Sequence, residues 1–245
     1  MIEIKNLTKR FGDTLVWEDV SFDIQDGETM AVIGRSGCGK SVLMKHLNAL
    51  LYPEEGEVLI DGKCVFELSY TELRKVRQRF GILFQGGALF DSISTFENIA
   101  FPLRYFTEQG EDEITHNVQE ALGMVGLEEA AEKSTAELSG GMRKRVGLAR
   151  AIILKPDYLL YDEPTSGLDP KTSEEINELI VTMADSLDIT SVVITHDMHS
   201  VLAISEKVAF LDEQKLSWFG KTNDMKHSDN KNLLEFISAS EYQIK

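Results

Sequence analysis

The sequence lacks any apolar run long enough to cross a bilayer. Roughly 18 or more nearly uncharged positions are needed, and no stretch of the 245 residues approaches that. No secretory leader is expected either, because Glu3, Lys5, Lys9, Arg10 and Asp13 interrupt the opening before an apolar segment develops; the chain is expected in the cytoplasm. Cysteine is scarce. Cys38 and Cys64 cannot build a disulfide framework or a cysteine-rich zinc site, and they fit a reducing compartment. Positive charge is also short, with 25 Lys+Arg against 41 Asp+Glu and a formal charge of −16. Non-specific hold on nucleic acid or anionic lipid needs cationic patches, so no nucleic-acid partner and no direct membrane insertion are expected. A role at a membrane requires another protein to hold the chain there. Few prolines, modest glycine and 42% hydrophobic residues leave a folded protein of one or two domains.

No internal repeat or low-complexity linker is present, and short β-branched runs alternate with stretches of helical spacing, the pattern of an α/β fold. Residues 2–7, 20–24 and 29–33 read as strands, and residues 57–62 add two more around a turn, so an antiparallel sheet is expected beside a parallel core. Ser69 with Glu72 makes a capping box before a helix carrying Leu73 and Val76, and residues 80–84 read as a buried strand. From about 95 to 150 the spacing is helical, with residues 110–113 read as a solvated acidic loop. Strand 158–161, helix 171–187 and strand 190–195 form a βαβ unit, and strands 207–211 and 215–219 close the pattern. In the polar segment after Thr222, Leu233, Leu234, Phe236 and Ile237 form a short stripe expected to pack on a neighbour.

Gly34-Arg35-Ser36-Gly37-Cys38-Gly39-Lys40-Ser41 follows a strand and precedes a helix assigned to 42–50. Glycines let successive amides curl around phosphate oxygens, and the helix contributes its positive end. Lys40 supplies a point charge for β/γ-phosphates and Ser41 a hydroxyl for Mg²⁺. Strand 158–161 runs into Asp162 and Glu163 at the edge where parallel-sheet ligands bind. There Asp162 suits a Mg²⁺ contact, and Glu163 suits the polarising of a water that attacks a γ-phosphate. His196 ends the next strand and is assigned a γ-phosphate contact and the orienting of that water. Gln85 is assigned a metal contact through its amide oxygen.

Leu138-Ser139-Gly140-Gly141-Met142 opens a helix assigned to 143–154 and forms a second anion site. One chain has no use for two γ-phosphate sites, but a head-to-tail pair of chains does. Taken in order, these segments and Ser166-Gly167-Leu168-Asp169 resemble the ATP-binding-cassette (ABC) ATPases over residues 2–220. The resemblance implies a P-loop NTPase fold with a RecA-like parallel-sheet core, an antiparallel β subdomain and an inserted helical subdomain at about 88–155. It places the cassette at 1–222 and leaves a tail at 223–245 that touches a second ATPase subunit. It further implies an ATP-dependent homodimer in which ATP and Mg²⁺ are held by residues 34–41 of one copy and by Ser139, Gly140 and Gly141 of the other, with Asp169 across the interface. Phe11 stands where the family places an adenine-stacking aromatic. Met142 and Cys38 depart from the family's usual glutamine and serine; neither change removes a phosphate ligand.

The segment 84–90, the segment 96–103 and the methionine-ending signature resemble the ATPases of Mla-type lipid transporters. That resemblance implies an integral membrane permease and an MCE-type lipid-binding protein as partners, phospholipid or another hydrophobic substrate, and a peripheral position on the cytoplasmic face of the inner membrane. Residues 88–101 are expected to form the groove that receives a permease helix. A soluble ABC ATPase serving a scaffold would share every catalytic residue and remains the alternative.

Overall fold

The opening third alternates apolar and polar residues, as a sheet with one wet face requires. In the computed structural model, which describes residues 1–241, it forms a hairpin of β1 (Ile2–Phe11) and β2 (Thr14–Ile24), followed by β3 (Thr29–Gly34), α1 (Lys40–Leu47), β4 (Glu55–Ile60) and the two-residue β5 (Lys63–Cys64). Strands β2-β1-β4-β5 make the antiparallel sheet, in that order. Strands β1 and β2 both outrun the segments expected from sequence, because Arg10 and Phe11 continue the ladder to Leu15 and Thr14.

Next come α2 (Tyr70–Gln78), β6 (Phe80–Leu83), α3 (Thr95–Phe106), α4 (Glu111–Met124) and α5 (Gly140–Ile152). They are followed by β7 (Tyr158–Asp162), α6 (Pro170–Leu187), β8 (Thr190–Ile194), α7 (Met198–Ile204), β9 (Lys207–Asp212), β10 (Lys215–Lys221) and α8 (Lys231–Glu241), the last after a 3₁₀ turn at Thr222–His227. The second sheet runs β10-β9-β3-β8-β7-β6. β9, β3, β8, β7 and β6 are parallel, and β10 pairs antiparallel with β9 at one edge. β3 and β8 are buried along their whole length, which is why Met30–Ile33 and Val192–Ile194 read as apolar runs rather than alternations.

Helix ends correct three expectations. Residues 111–113 are not a loop: Glu111, Asp112 and Glu113 form the first turn of α4 behind Gly110, where carboxylates oppose the positive helix end. α5 starts at Gly140 rather than 143, because the Ser139 hydroxyl caps it by accepting from the Met142 amide at 3.2 Å, a contact worth about 1 kcal/mol. α1 spans 40–47 instead of 42–50, its end marked by Ala49 in the left-handed region at φ 53°.

One core lies between the two sheets, around Leu7, Trp17, Leu43 and Leu160. A second lies under α3 to α6 on the other face, around Ile99, Val118, Val146 and Ile176. A third joins Ala31, Ile33 and Phe210 to Leu233 and Ile237 of α8. The terminal stripe is thus buried against its own chain, since these apolar side chains find a complementary face on β3 and β9. Among the described residues no helix is long and apolar enough to cross a membrane.

Candidate nucleotide site

Three neighbouring strands, β3, β8 and β7, end at the same edge of the parallel sheet. Their ends carry Gly34, Thr195-His196 and Asp162-Glu163, so the strand order alone assembles residues far apart in sequence. Around them lies a cavity of about 560 Å³, lined by Gly34, Arg35, Ser36, Gly37, Gly39, Lys40, Ser41, Gln85, Asp162, Glu163 and His196.

The loop from β3 to α1 depends on glycine at two places. Gly34 has φ 152°, and a Cβ there would overlap the Leu211 carbonyl oxygen; Gly39 has φ 94°, and a Cβ there would overlap the Trp17 indole and Val16. The lysine ammonium folds back across the loop, donating from Lys40 Nζ to the Gly34 carbonyl at 2.8 Å and the Arg35 carbonyl at 3.1 Å. A buried cation, a glycine cradle and the unpaired first-turn amides of α1 form an anion site, and the polyphosphate of ATP fits it. Cys38 does not line the cavity; its side chain turns into the core between the sheets, and burial pushes its thiol pKa up.

Ser41 Oγ lies 3.4 Å from Asp162 Oδ1, a hydroxyl and a carboxylate beside the phosphate cradle. These hard oxygens fit Mg²⁺, which takes few protein ligands when phosphate supplies the rest. Burial raises the Asp162 pKa, an effect that the Ser41 hydrogen bond opposes and Glu163 reinforces. Gln85 donates from Nε2 to Ser166 Oγ at 3.2 Å, which leaves its amide oxygen for the cavity. Glu163 adopts the left-handed region at φ 49°, a conformation costing a non-glycine residue on the order of 1–3 kcal/mol. Its amide donates to the Ile194 carbonyl at 2.8 Å and its carboxylate meets His196 Nδ1.

Sequence reasoning missed two participants. Lys144 of α5 reaches under the strand ends and donates from Nζ to the Glu163 carbonyl at 2.9 Å; burial lowers its pKa to about 8 against the pull of Glu163 and Asp162. Its signal was a lysine placed four residues after Gly140, on the inward face of a helix otherwise buried by Val146, Leu148 and Ala149. Phe236 of α8 contributes to the cavity wall, which a stripe read as facing a neighbour did not suggest.

Other candidates stand apart from the cavity. Ser139 is exposed and Gly140 half-buried at the opening of α5, while Gly141 is buried and packs so closely on Thr172 that a side chain would overlap it. Asp169 caps α6, accepting from the Thr172 amide at 3.1 Å and the Thr172 hydroxyl at 2.5 Å, and these bonds hold its pKa down. Phe11 is 51% exposed at the hairpin tip beside the Lys9 ammonium, so it is not a core residue.

The sequence profile of the ABC transporter family matches residues 17–166. The chain belongs to the ABC transporter ATP-binding family. It is 44% identical over 238 residues to the probable ribonucleotide transport ATP-binding protein Mkl of Mycobacterium leprae, covering 97% of this chain and 69% of that protein. To the intermembrane phospholipid transport system ATP-binding protein MlaF of Haemophilus influenzae it is 41% identical, covering 98% of this chain and 90% of the relative. The methionine import ATP-binding protein MetN of Clostridium tetani is 43% identical, with 92% of this chain and 70% of that protein covered. Among solved structures, the ATP-binding cassette MJ0796, a dimer bound to ADP and Pi, matches with a TM-score of 0.82 at 32% identity over 91% of this chain and 99% of that one. This ABC cassette is therefore an ATPase that binds ATP. The α/β architecture expected from the sequence, a parallel core beside an antiparallel sheet with helices, is the one observed.

Proposed function

We propose that this cassette powers movement of phospholipid, or another hydrophobic substrate, through a separate membrane permease, with an MCE-type lipid-binding protein as a further partner. The observation that carries this reading is the likeness to MlaF, which extends over nearly the full length of both chains. In this reading residues 1–222 are the cassette, with its helical subdomain at about 88–155 and a tail from 223, and the protein sits on the cytoplasmic face of the inner membrane.

ATP is held by residues 34–41, with Phe11 stacked on adenine; a second copy closes the site with Ser139, Gly140, Gly141 and Asp169. Exposure of Ser139 at the N-terminus of α5 supports this, with no acidic residue in that helix's first turn. Mg²⁺ bound by Ser41, Asp162 and Gln85 would neutralise charge on the phosphates. Glu163 takes a proton from water as its oxygen attacks the γ-phosphorus and ADP leaves, and His196 orients that water and donates to the γ-phosphate.

A second cavity of about 530 Å³ supports a permease contact. Phe84, Phe90, Phe101, Tyr105 and Phe106 are exposed around it, with Arg74, Arg77 and Arg150 among them and no carboxylate in its lining. In a chain of charge −16, an aromatic groove rimmed only by cations suits an amphipathic helix that carries acidic residues.

Affinity purification of the tagged chain from gently solubilised native membranes, with mass spectrometry of proteins and lipids, tests the reading. A multi-span permease arriving with phospholipid and an MCE-type protein supports it. Only soluble partners, with the chain in the cytosolic fraction in the presence of ATP, overturn it in favour of a scaffold-serving ATPase.

A further inference from the structure

Lys144 is 4% exposed, and among the described residues no carboxylate lies within ion-pair distance of its ammonium. Its hydrogen-bond partner is the Glu163 carbonyl. Desolvation outweighs the attraction of Glu163 and Asp162, which act from beyond ion-pair distance, so burying the ammonium on one neutral acceptor is unfavourable, and an apolar side chain of the same length would fill the space at less cost. Packing therefore does not account for a lysine here. What the lysine supplies is a donor to a peptide whose residue sits in an unfavourable backbone region at φ 49°. The Glu163 amide is tied to β8 through the Ile194 carbonyl, and the lysine fixes the other side of the same residue. Lys144 also lies one turn into the helix that begins at Gly140. One side chain thus joins the first turns of that helix to the Glu163 peptide.

We propose that Lys144 is a positioning residue: it holds Glu163 in its left-handed backbone conformation, keeps the carboxylate aimed at the cavity, and links it to the opening of α5. The proposal rests on the reading of Glu163 as the group that takes the water's proton. Its test uses the full chain under saturating Mg-ATP with three variants, Lys144→Met, Lys144→Gln and Glu163→Gln. Lys144→Met removes the donor and keeps the bulk; it should lower kcat tenfold or more while KM for ATP stays within twofold. Lys144→Gln restores a neutral donor and should recover at least threefold of that loss. A purely structural role would move both variants together, and it would shift ATP affinity with the rate. Wild-type kcat in Lys144→Met, or equal losses in Met and Gln variants, overturns the role of Lys144 while an inactive Glu163→Gln leaves the reading of Glu163 standing. Wild-type turnover in Glu163→Gln overturns that reading and the proposal with it.

Discussion

His196 Nδ1 lies 2.9 Å from Oε1 and 2.8 Å from Oε2 of Glu163, so the ends of two adjacent strands meet in one hydrogen-bonded pair. Glu163→Gln keeps the size and an acceptor oxygen but has no basicity for the attacking water. Turnover should fall by about 10² or more, with ATP affinity retained. ATP then persists between two copies, so size-exclusion chromatography in Mg-ATP should show a trapped dimer. A monomer with unchanged turnover would count against both the catalytic assignment and the shared site.

The aromatic groove makes a separate prediction. Arg74 is exposed and sits over the rings of Tyr105 and Phe106 at 5.9 and 5.7 Å, without a carboxylate partner among the described residues. Arg74→Glu reverses charge where a permease helix would bring acids. Reversal of an interfacial charge changes association rather than fold, so the isolated chain should keep its ATPase rate and melting behaviour while co-purification of the membrane partner drops severalfold. Unchanged recovery of the partner would place the contact elsewhere.

The phosphate loop, the acids after β7 and the histidine after β8 were legible in the sequence because each depends on a local pattern, a strand followed by a few residues of fixed chemistry. Their meeting was legible because parallel strands bring their carboxyl ends to one edge. The terminal helix was not. Leu233, Phe236 and Ile237 announced an apolar stripe, but which surface would receive it depends on Ala31, Ile33 and Phe210 lying side by side on β3 and β9. Lys144 escaped for a related reason, since a lysine beside Arg143 and Arg145 looks solvated until the helix is docked. The acidic residues at 111–113 misled in the opposite way, because charge suggests a loop as readily as a capped first turn.

Lys144 should also mark the pH dependence of stability in the nucleotide-free chain. Burial lowers its folded pKa from 10.5 to about 8, so between those values the unfolded chain binds more protons than the folded one, and stability rises with pH across that window. The rise is on the order of 3 kcal/mol if the other groups titrate alike. Lys144→Met removes this group from both states. Denaturant titrations should therefore show wild type gaining on Lys144→Met from pH 8 to 10.5, with a constant difference below pH 7. Parallel curves through that window would mean the ammonium is better solvated than its burial indicates.

The position of α8 separates two roles for the tail. Leu233 is fully buried and Ile237 nearly so, packed with Ile33, Met198 and Phe210 of the same chain, while Asn232 donates to Asp212 at 2.9 Å and Asn230 to the Ser217 carbonyl at 2.8 Å. If the stripe holds the cassette's own face, Leu233→Ala leaves a cavity and costs about 2–5 kcal/mol, seen without ATP as a fall in thermal midpoint of roughly 5–15 °C. If the stripe instead serves to grip a second subunit, the nucleotide-free midpoint should stay within a degree or two, and the loss should surface only in the ATP-bound dimer as a weaker association. The packing argues for the first outcome. Phe236 packs at a tilt against Phe210, ring centroids 5.4 Å apart, and reaches the nucleotide cavity, so loosening α8 should also soften one wall of that cavity and raise KM for ATP.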